Sequence, residues 1–192
     1  MQRLRHKEET AKRSKSRILK AATKCFVQHG FSGTSLGDIA KKIGINQSLI
    51  YHYFSSKEEL WKVVKEDLLR EFLEASRQSF DVEKGLRSFL NGYLHGGYDH
   101  FRRHPDVVKI MSWQSLESDS SIEDDRVLLK EAVEKLQQKK ELRNDLDSLV
   151  VVFMIKNVMR APFFDDYAAF DSAQAQKYLD LAVDGLYKAL KP

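Results

Sequence analysis

The stretch Ile39-Ala40-Lys41-Lys42-Ile43-Gly44-Ile45-Asn46-Gln47-Ser48-Leu49-Ile50-Tyr51-His52-Tyr53 decides how this chain is read. Its apolar residues recur at three and four, the helical period, and a glycine interrupts them at the middle. The small Ala40 lets two short helices approach, Gly44 takes the backbone through the turn, and Ile45 and Ile50 plug the angle between the helices from inside. Asn46 is suited to cap the second helix. With those positions turned inward, Gln47, Ser48, Tyr51 and His52 project outward from the second helix. Polar and aromatic side chains there match what major-groove edges and phosphates accept. Any pair of short helices could place Ala and Gly at its junction. Agreement between the spacing, the polar outer face and the local charge favours the helix-turn-helix.

Outward from this stretch the helical period continues in both directions. A first helix is expected over about Thr10–His29, with Ile18, Ala22, Cys25 and Phe26 on one face and Gly30 as its left-handed stop. Thr34 or Ser35 then caps the helix that carries Leu36, Ile39, Ala40 and Ile43. Ser55-Ser56-Lys57-Glu58-Glu59 reads as another cap followed by an acidic first turn, opening a long helix to about Phe80. A stripe from Leu86 through Leu90, Tyr93, Leu94 and Gly97 to Phe101 stops before Pro105, and the next helix starts at that proline. The polar stretch from Glu117 to Asp125 reads as a loop. Val127, Leu129, Ala132, Val133 and Leu136 mark another amphipathic helix. Leu146–Met159 is apolar all round, so it must be covered on more than one side. A last stripe runs from Ala175 to Leu190. Three prolines and nine glycines in 192 residues, with no alternating segment, make the fold all-α.

Composition limits the function. With 42% hydrophobic and 31% charged residues, the chain can bury a core of its own, roughly 70% of its unfolded surface. The single cysteine, Cys25, excludes a disulfide framework and reads as a packed thiol. No apolar run reaches the ~18 residues of a membrane span, and MQRLRHKEETAKRSKSR lacks a signal-peptide core, so a cytoplasmic protein without membrane association is expected. The net charge of +4 conceals an asymmetry: residues 1–70 hold fifteen Lys and Arg against seven Asp and Glu, a surplus of +8, and the remainder is at −4. A basic head on an acidic body suits a front segment that faces nucleic acid. His95, Asp99, His100 and His104 include pairs at helical metal-ligand spacing, but no third soft ligand is placed, so no metal is assigned. The carboxylates Asp165-Asp166 and Asp124-Asp125 have no partnered base or nucleophile, and no enzyme mechanism emerges.

The segment ILKAATKCFVQHGFSGTSLGDIAKKIGINQSLIYHYFSSKEELW resembles the N-terminal domain of the TetR (tetracycline-repressor-like) family of bacterial transcriptional regulators. The match runs from about Arg17 to Trp61 without a gap and includes Ile18-Leu19, Ala21-Ala22, Phe26, Gly30-Phe31, Thr34, Ile39-Ala40, Tyr51, Phe54, Ser56-Lys57-Glu58 and Leu60. Further along, only size, helix content and FRRHPDVVKIMSWQSLE match. The resemblance implies an N-terminal three-helix helix-turn-helix DNA-binding domain and a C-terminal helical ligand-binding and dimerisation domain, about nine helices in all. Residues 1–9 would be a basic flexible leader, 10–56 the DNA-binding domain, and 57–192 the effector-binding and dimerisation domain.

It also implies residue roles. Thr34, Ser35, Tyr51, Tyr53, Lys57 and Lys15 would face phosphates, and helix N-termini beside Thr34 and Lys57 favour an anion there. Gln47, Ser48 and His52 would read bases, with Gln47 foremost because its amide can bond adenine at two edge atoms. The tail carrying Arg3, Arg5, Lys7, Lys12 and Arg13 would lie along a phosphate rim or serve as a solubilising leader. Tyr93, Tyr98, Trp113, Phe153, Met154, Asn157 and Phe163 are the candidates for an effector pocket. Leu149, Val152, Phe153, Tyr178, Leu181, Ala182, Gly185 and Leu186 are those for a dimer bundle. One two-helix reader touches too few bases for gene-level specificity, so a homodimer on a palindromic operator is expected, released by an unknown small-molecule effector and needing no cofactor. Two rivals stay open: a regulator or activator gated by a protein partner, and an all-helical enzyme or scaffold whose head is non-functional.

Overall fold

The computed structural model of the chain describes residues 2–79, 81–117, 126–164 and 170–192. The described residues form nine α-helices: α1 (Gln2–His29), α2 (Leu36–Ile43), α3 (Gln47–Tyr53), α4 (Lys57–Ser79), α5 (Leu86–Arg103), α6 (Pro105–Leu116), α7 (Arg126–Gln138), α8 (Ser148–Phe164) and α9 (Ser172–Leu190). A 3-10 turn, Val82–Lys84, precedes α5. The chain forms two compact units, Met1–Leu68 with Lys109–Ile122 and Leu69–Val108 with Glu123–Pro192. The division falls inside α4 and α6 rather than at residue 56.

Boundaries depart from the periodicity where polar interactions set them. The first helix starts at Gln2 rather than Thr10, so the residues read as a leader are helical from Gln2 onward. Its early turns carry a Thr10 hydroxyl bonded to the His6 carbonyl at 2.8 Å and an Arg13–Glu9 ion pair at 3.2 Å. Such polar i,i+4 links leave no trace in a hydrophobic period. The eighth helix starts at Ser148, not Leu146, because the Asp147 carboxylate accepts the Leu149 and Val150 N–H groups at 2.8 and 3.2 Å. At α9, Asp171 and Gln174 form a reciprocal capping box. The carboxylates at Asp124-Asp125 and Asp165-Asp166 lie outside the described residues.

In the N-terminal unit, Ile18, Ala22 and Phe26 of α1 meet Leu36 and Ile39 of α2, Ile50 of α3 and Leu60 and Val64 of α4 in one buried cluster. Phe26 and Trp61 pack edge to face at 5.0 Å between centroids. Cys25 is buried among them, and burial pushes its thiol pKa up, as expected of a packed rather than a reactive cysteine.

In the C-terminal unit, α5 packs against α8 and α9, and α7 against α8. Leu90, Tyr93, Val133, Ile155 and Leu190 are among its buried residues. Glu141 caps the start of α5 by accepting the Leu86 N–H at 3.1 Å. His100 is buried beside Phe72 and Phe101 and stacks on His104 at 4.4 Å. Burial first, then the charges of His104 and Arg103, lower its pKa from 6.5 to about 4. The neutral imidazole is therefore the folded form, and the unfolded chain takes up the proton first as pH falls. The contribution of His100 to stability should be full above about pH 7 and be lost as pH falls from 6.5 to 4, at most about 3 kcal/mol. Urea unfolding of the wild type and His100→Phe at pH 7.5 and pH 4.5 checks this. The variant should lose less stability on acidification, and equal losses would assign the pH dependence to other groups.

Candidate nucleic-acid interface

The third helix is short, and its surroundings hold it in place. Asn46 accepts the Ser48 N–H at 2.9 Å and caps its start, while Ile50 is fully buried and anchors its inner face. Gln47, Ser48, Tyr51 and His52 are exposed together, at spacings that put them on one side of the helix. Tyr53 is half-buried and meets the His52 ring edge to face at 5.1 Å. The four outward side chains of the sequence reading thus share one surface. Tyr53 lies at its margin.

The helix in front is held at both ends. Ser35 is its N-cap and forms a capping box with Asp38, whose carboxyl is held below its usual range by hydrogen bonds from the Ser35 hydroxyl and backbone. Gly44 closes the helix in the left-handed region at φ 65°, with its N–H on the carbonyls of Ala40 and Lys41. Arg17 reaches across from α1 and donates to the Ile43 carbonyl at 3.1 Å. The orphan carbonyls at the end of α2 are met by the turn and by that guanidinium, which ties α1 to the end of α2. Arg17 had no role in the sequence reading, since its acceptor lies 26 residues away. Lys41 and Lys42 add exposed positive charge to the last turn of α2.

Two expected phosphate contacts are placed differently. Thr34 is only 3% exposed, and its hydroxyl donates to the Gly30 carbonyl at 2.8 Å. It closes the loop after α1, while the exposed hydroxyl of Ser35 at the start of α2 is donated to the Asp38 carboxylate. Lys57 is half-buried. Its ammonium donates to the carbonyls of Phe31 and Thr34, both at 3.0 Å, and rests 4.1 Å from the Phe31 ring centroid. Two of its three N–H donors are used inside the unit, where they tie the α1–α2 loop to the first turn of α4. Lys15 stays exposed, 5.5 Å from the Phe54 ring.

The pocket and dimer candidates sort by burial. Trp113 belongs to the N-terminal unit: its indole N–H donates to the Val27 carbonyl at 3.2 Å, and its ring covers Gly30. It braces the end of α1. In the C-terminal unit, Tyr93 is fully buried, while Tyr98 and Phe163 lie against each other at 5.1 Å and Phe163 meets Phe101 at 5.5 Å. Phe153, Met154 and Asn157 are exposed, so within a single chain they line the outside of α8 and no interior pocket. Leu149, Val150, Phe153 and Met154 make an apolar strip on α8, and Leu181 is an exposed apolar residue of α9. Gly185 faces open space and Ala182 is half-buried. Tyr178 is half-buried too, its hydroxyl on the Val158 carbonyl at 2.6 Å. Val152 and Leu186 are core residues, buried in their own chain, and drop out of the dimer set.

No helix among the described residues is long and apolar enough to cross a membrane. Likewise, no described group of three or more His, Cys, Asp or Glu is arranged to hold a metal ion.

Comparison with known proteins agrees with this architecture over both units. The model of bacterial regulatory proteins of the tetR family matches residues 18–64, and that of the tetracyclin repressor-like C-terminal domain matches residues 90–180. The chain is similar to the HTH-type transcriptional repressor NicS of Pseudomonas putida, 33% identical over 112 residues that cover 56% of this chain and 51% of the relative. It is also similar to the HTH-type transcriptional repressor AcnR of Corynebacterium diphtheriae, 26% identical over 179 residues, 88% of this chain and 89% of that one. The match spans about half the length of most of the curated relatives, such as NicS at 51% and SCO4008 of Streptomyces coelicolor at 50%. A TetR family transcription regulator from Marinobacter aquaeolei VT8 shares the fold at a TM-score of 0.70, with 18% identity over 96% of this chain and 98% of the other.

Proposed function

This chain belongs to the TetR family of bacterial regulatory proteins, and on that premise we propose that it is a sequence-specific DNA-binding transcriptional regulator that works as a homodimer. The observation that carries the reading is the exposed face of Gln47, Ser48, Tyr51 and His52 on a helix whose other side is locked into the core of a basic unit. Gln47 and Ser48, near the N-terminus of that helix, meet base edges, with His52 one turn on. Tyr51 and Lys15 meet phosphates, and Tyr53 supports them from the margin. The +8 balance of the first 70 residues supplies the non-specific attraction on which base reading is built.

A two-fold dimer through α8 and α9 presents two such helices to successive major grooves, roughly 34 to 36 Å apart or a multiple of that, so the operator is a palindrome. Repression is the sense of regulation supported by the relatives, since both NicS and AcnR carry the name repressor. A small-molecule effector engages the C-terminal unit, with Tyr93, Tyr98 and Phe163 as the remaining aromatic candidates. It releases DNA through its higher affinity for the DNA-incompetent shape, a coupling of about 1 to 3 kcal/mol. The role is that of a binding protein and not of an enzyme.

Fluorescence anisotropy on fragments of the protein's own promoter region, over a range of salt concentrations, tests the reading. A preferred fragment should emerge, with affinity falling at a log-log slope near −0.9 per phosphate neutralised. Gln47→Ala should relax preference at one base position per half-site. Lys15→Ala should weaken all sequences alike and make the slope shallower by about 0.9 per protomer. Uniform loss in both variants would remove Gln47 from the base readers, and binding without sequence preference would overturn the regulator reading.

A further inference from the structure

The N-terminal unit is basic, yet it contains a groove of opposite character. A cleft of about 620 Å³ lies beside the α1–α2 loop and the first turns of α4, lined by Phe31, Trp61, Glu58, Glu59, Lys62 and Glu117, with Ser32 at its edge. Every lining residue belongs to this one unit. Three carboxylates and the Lys62 ammonium line it, Lys62 leaning toward Glu66 at 3.8 Å, and two further lysines, Lys57 and Lys65, lie on the rings of its aromatic walls. The carboxyls of Glu58 and Glu59 are held below their usual range, Glu58 by its own backbone and the Ser56 hydroxyl, Glu59 by the Ser55 hydroxyl and N–H. Glu117 accepts the Ser32 N–H at 2.9 Å through Oε1, while Oε2 is buried with no hydrogen-bond partner among the described residues. A desolvated carboxylate oxygen without a donor favours a cation nearby.

The aromatic walls have the same preference. Phe31 and Trp61 lie 6.0 Å apart at 44°, and each already attracts a lysine of the protein: Lys57 at 4.1 Å from the Phe31 centroid and Lys65 at 5.0 Å from the Trp61 centroid. The quadrupole of these rings therefore recognises cations in this fold. Aromatic surface, a buried carboxylate oxygen without a donor and a volume in the range of small-molecule sites suit one class of occupant, a compact organic cation with an apolar or aromatic body.

We propose that the groove bounded by Phe31, Trp61, Glu58 and Glu117, built wholly within the N-terminal unit, is a ligand site for an aromatic or quaternary ammonium compound. The claim stands independently of DNA recognition, because its test contains no DNA.

The test uses the full chain and benzyltrimethylammonium chloride as probe, titrated by calorimetry and by tryptophan fluorescence. Expected is saturable binding at one site per chain, about tenfold tighter than benzyl alcohol, the uncharged comparison. The double variant Glu58→Gln/Glu117→Gln keeps an acceptor for the Ser32 N–H while removing two charges, and should weaken the cation about tenfold with little change for benzyl alcohol. If that variant unfolds, Lys62→Glu on the exposed wall should instead tighten the cation severalfold. Equal affinity for the charged and uncharged probes, no saturable binding, or cation affinity unmoved by these substitutions would each overturn the site.

Discussion

Phe153→Asp should convert the proposed homodimer into a folded monomer and weaken operator binding at least about a hundredfold. Phe153 is 70% exposed in the single chain, with Leu149 at 55% and Val150 at 53% on the same helix, and on α9 Leu181 is exposed at 63%. Lone exposed apolar side chains are common, but four within two turns of one helix mark an interface. Gly185 faces open space and leaves room for a partner's backbone to come close. In a two-fold interface each substitution occurs twice, so two carboxylates would be desolvated against an apolar surface at several kcal/mol each. Two recognition helices on one rigid dimer bind at high effective concentration, and that gain is lost when the dimer dissociates. Sedimentation at micromolar concentration should show half the mass, with helical circular dichroism unchanged because Phe153 supports no core of its own chain. Phe153→Leu should remain dimeric. A Phe153→Asp protein that still sediments as a dimer and binds its operator with undiminished affinity would remove the α8 strip from the interface.

That strip also shows where reading the sequence stops. The helix carrying LVVVFMI is apolar on every side, so its pattern has no phase to separate core from interface. The structure turns Val151, Val152 and Ile155 inward and Leu149, Phe153 and Met154 outward, a choice set by where α5, α7 and α9 pack. Val152 and Leu186 look like interface residues by composition and are core by position. Phe153, Met154 and Asn157 look like pocket residues and lie outside.

The helix-turn-helix was legible for the opposite reason. Each of its determinants acts over a few residues: Ser35 and Asn46 as caps, Gly44 as a left-handed stop, Ala40 and Ile50 as inward positions. Local rules reach such features and fail where the partner is remote. Lys57 carries the charge and the helix-start position of a phosphate ligand, yet its acceptors are carbonyls 26 and 23 residues upstream. Trp113 sits among aromatic pocket candidates in sequence, but its acceptor lies 86 residues back, at the end of the first helix. Burial of Thr34 follows from a bond to Gly30 that the cap pattern alone does not distinguish from an outward hydroxyl.

Gly30→Ala should destabilise the N-terminal unit by about 3 kcal/mol, whereas Gly44→Ala should cost only about 1 kcal/mol. Both glycines end helices at nearly the same left-handed backbone, φ 69° and 65°, so the conformational penalty of adding a Cβ is common to the two. The surroundings differ. At Gly44 nothing lies within 4 Å of an added Cβ, but at Gly30 that atom would meet Trp113 ring carbons at 2.7 and 2.8 Å and Glu117 Oε1 at 3.0 Å. The indole cannot retreat cheaply, since its N–H is bonded to the Val27 carbonyl, and Glu117 is held by the Ser32 N–H. At roughly 2 to 4 °C per kcal/mol for a chain of this size, thermal midpoints should fall by about 6 to 12 °C for Gly30→Ala and about 2 to 4 °C for Gly44→Ala. Because Gly30 and Trp113 touch, their effects should also couple. In the double variant Gly30→Ala/Trp113→Ala the alanine at 30 should cost no more than its backbone penalty, leaving an interaction energy of about 2 kcal/mol in a double-mutant cycle. Equal midpoints for the two glycine variants, or strict additivity with Trp113→Ala, would mean that the indole does not hold the end of α1 in the way described.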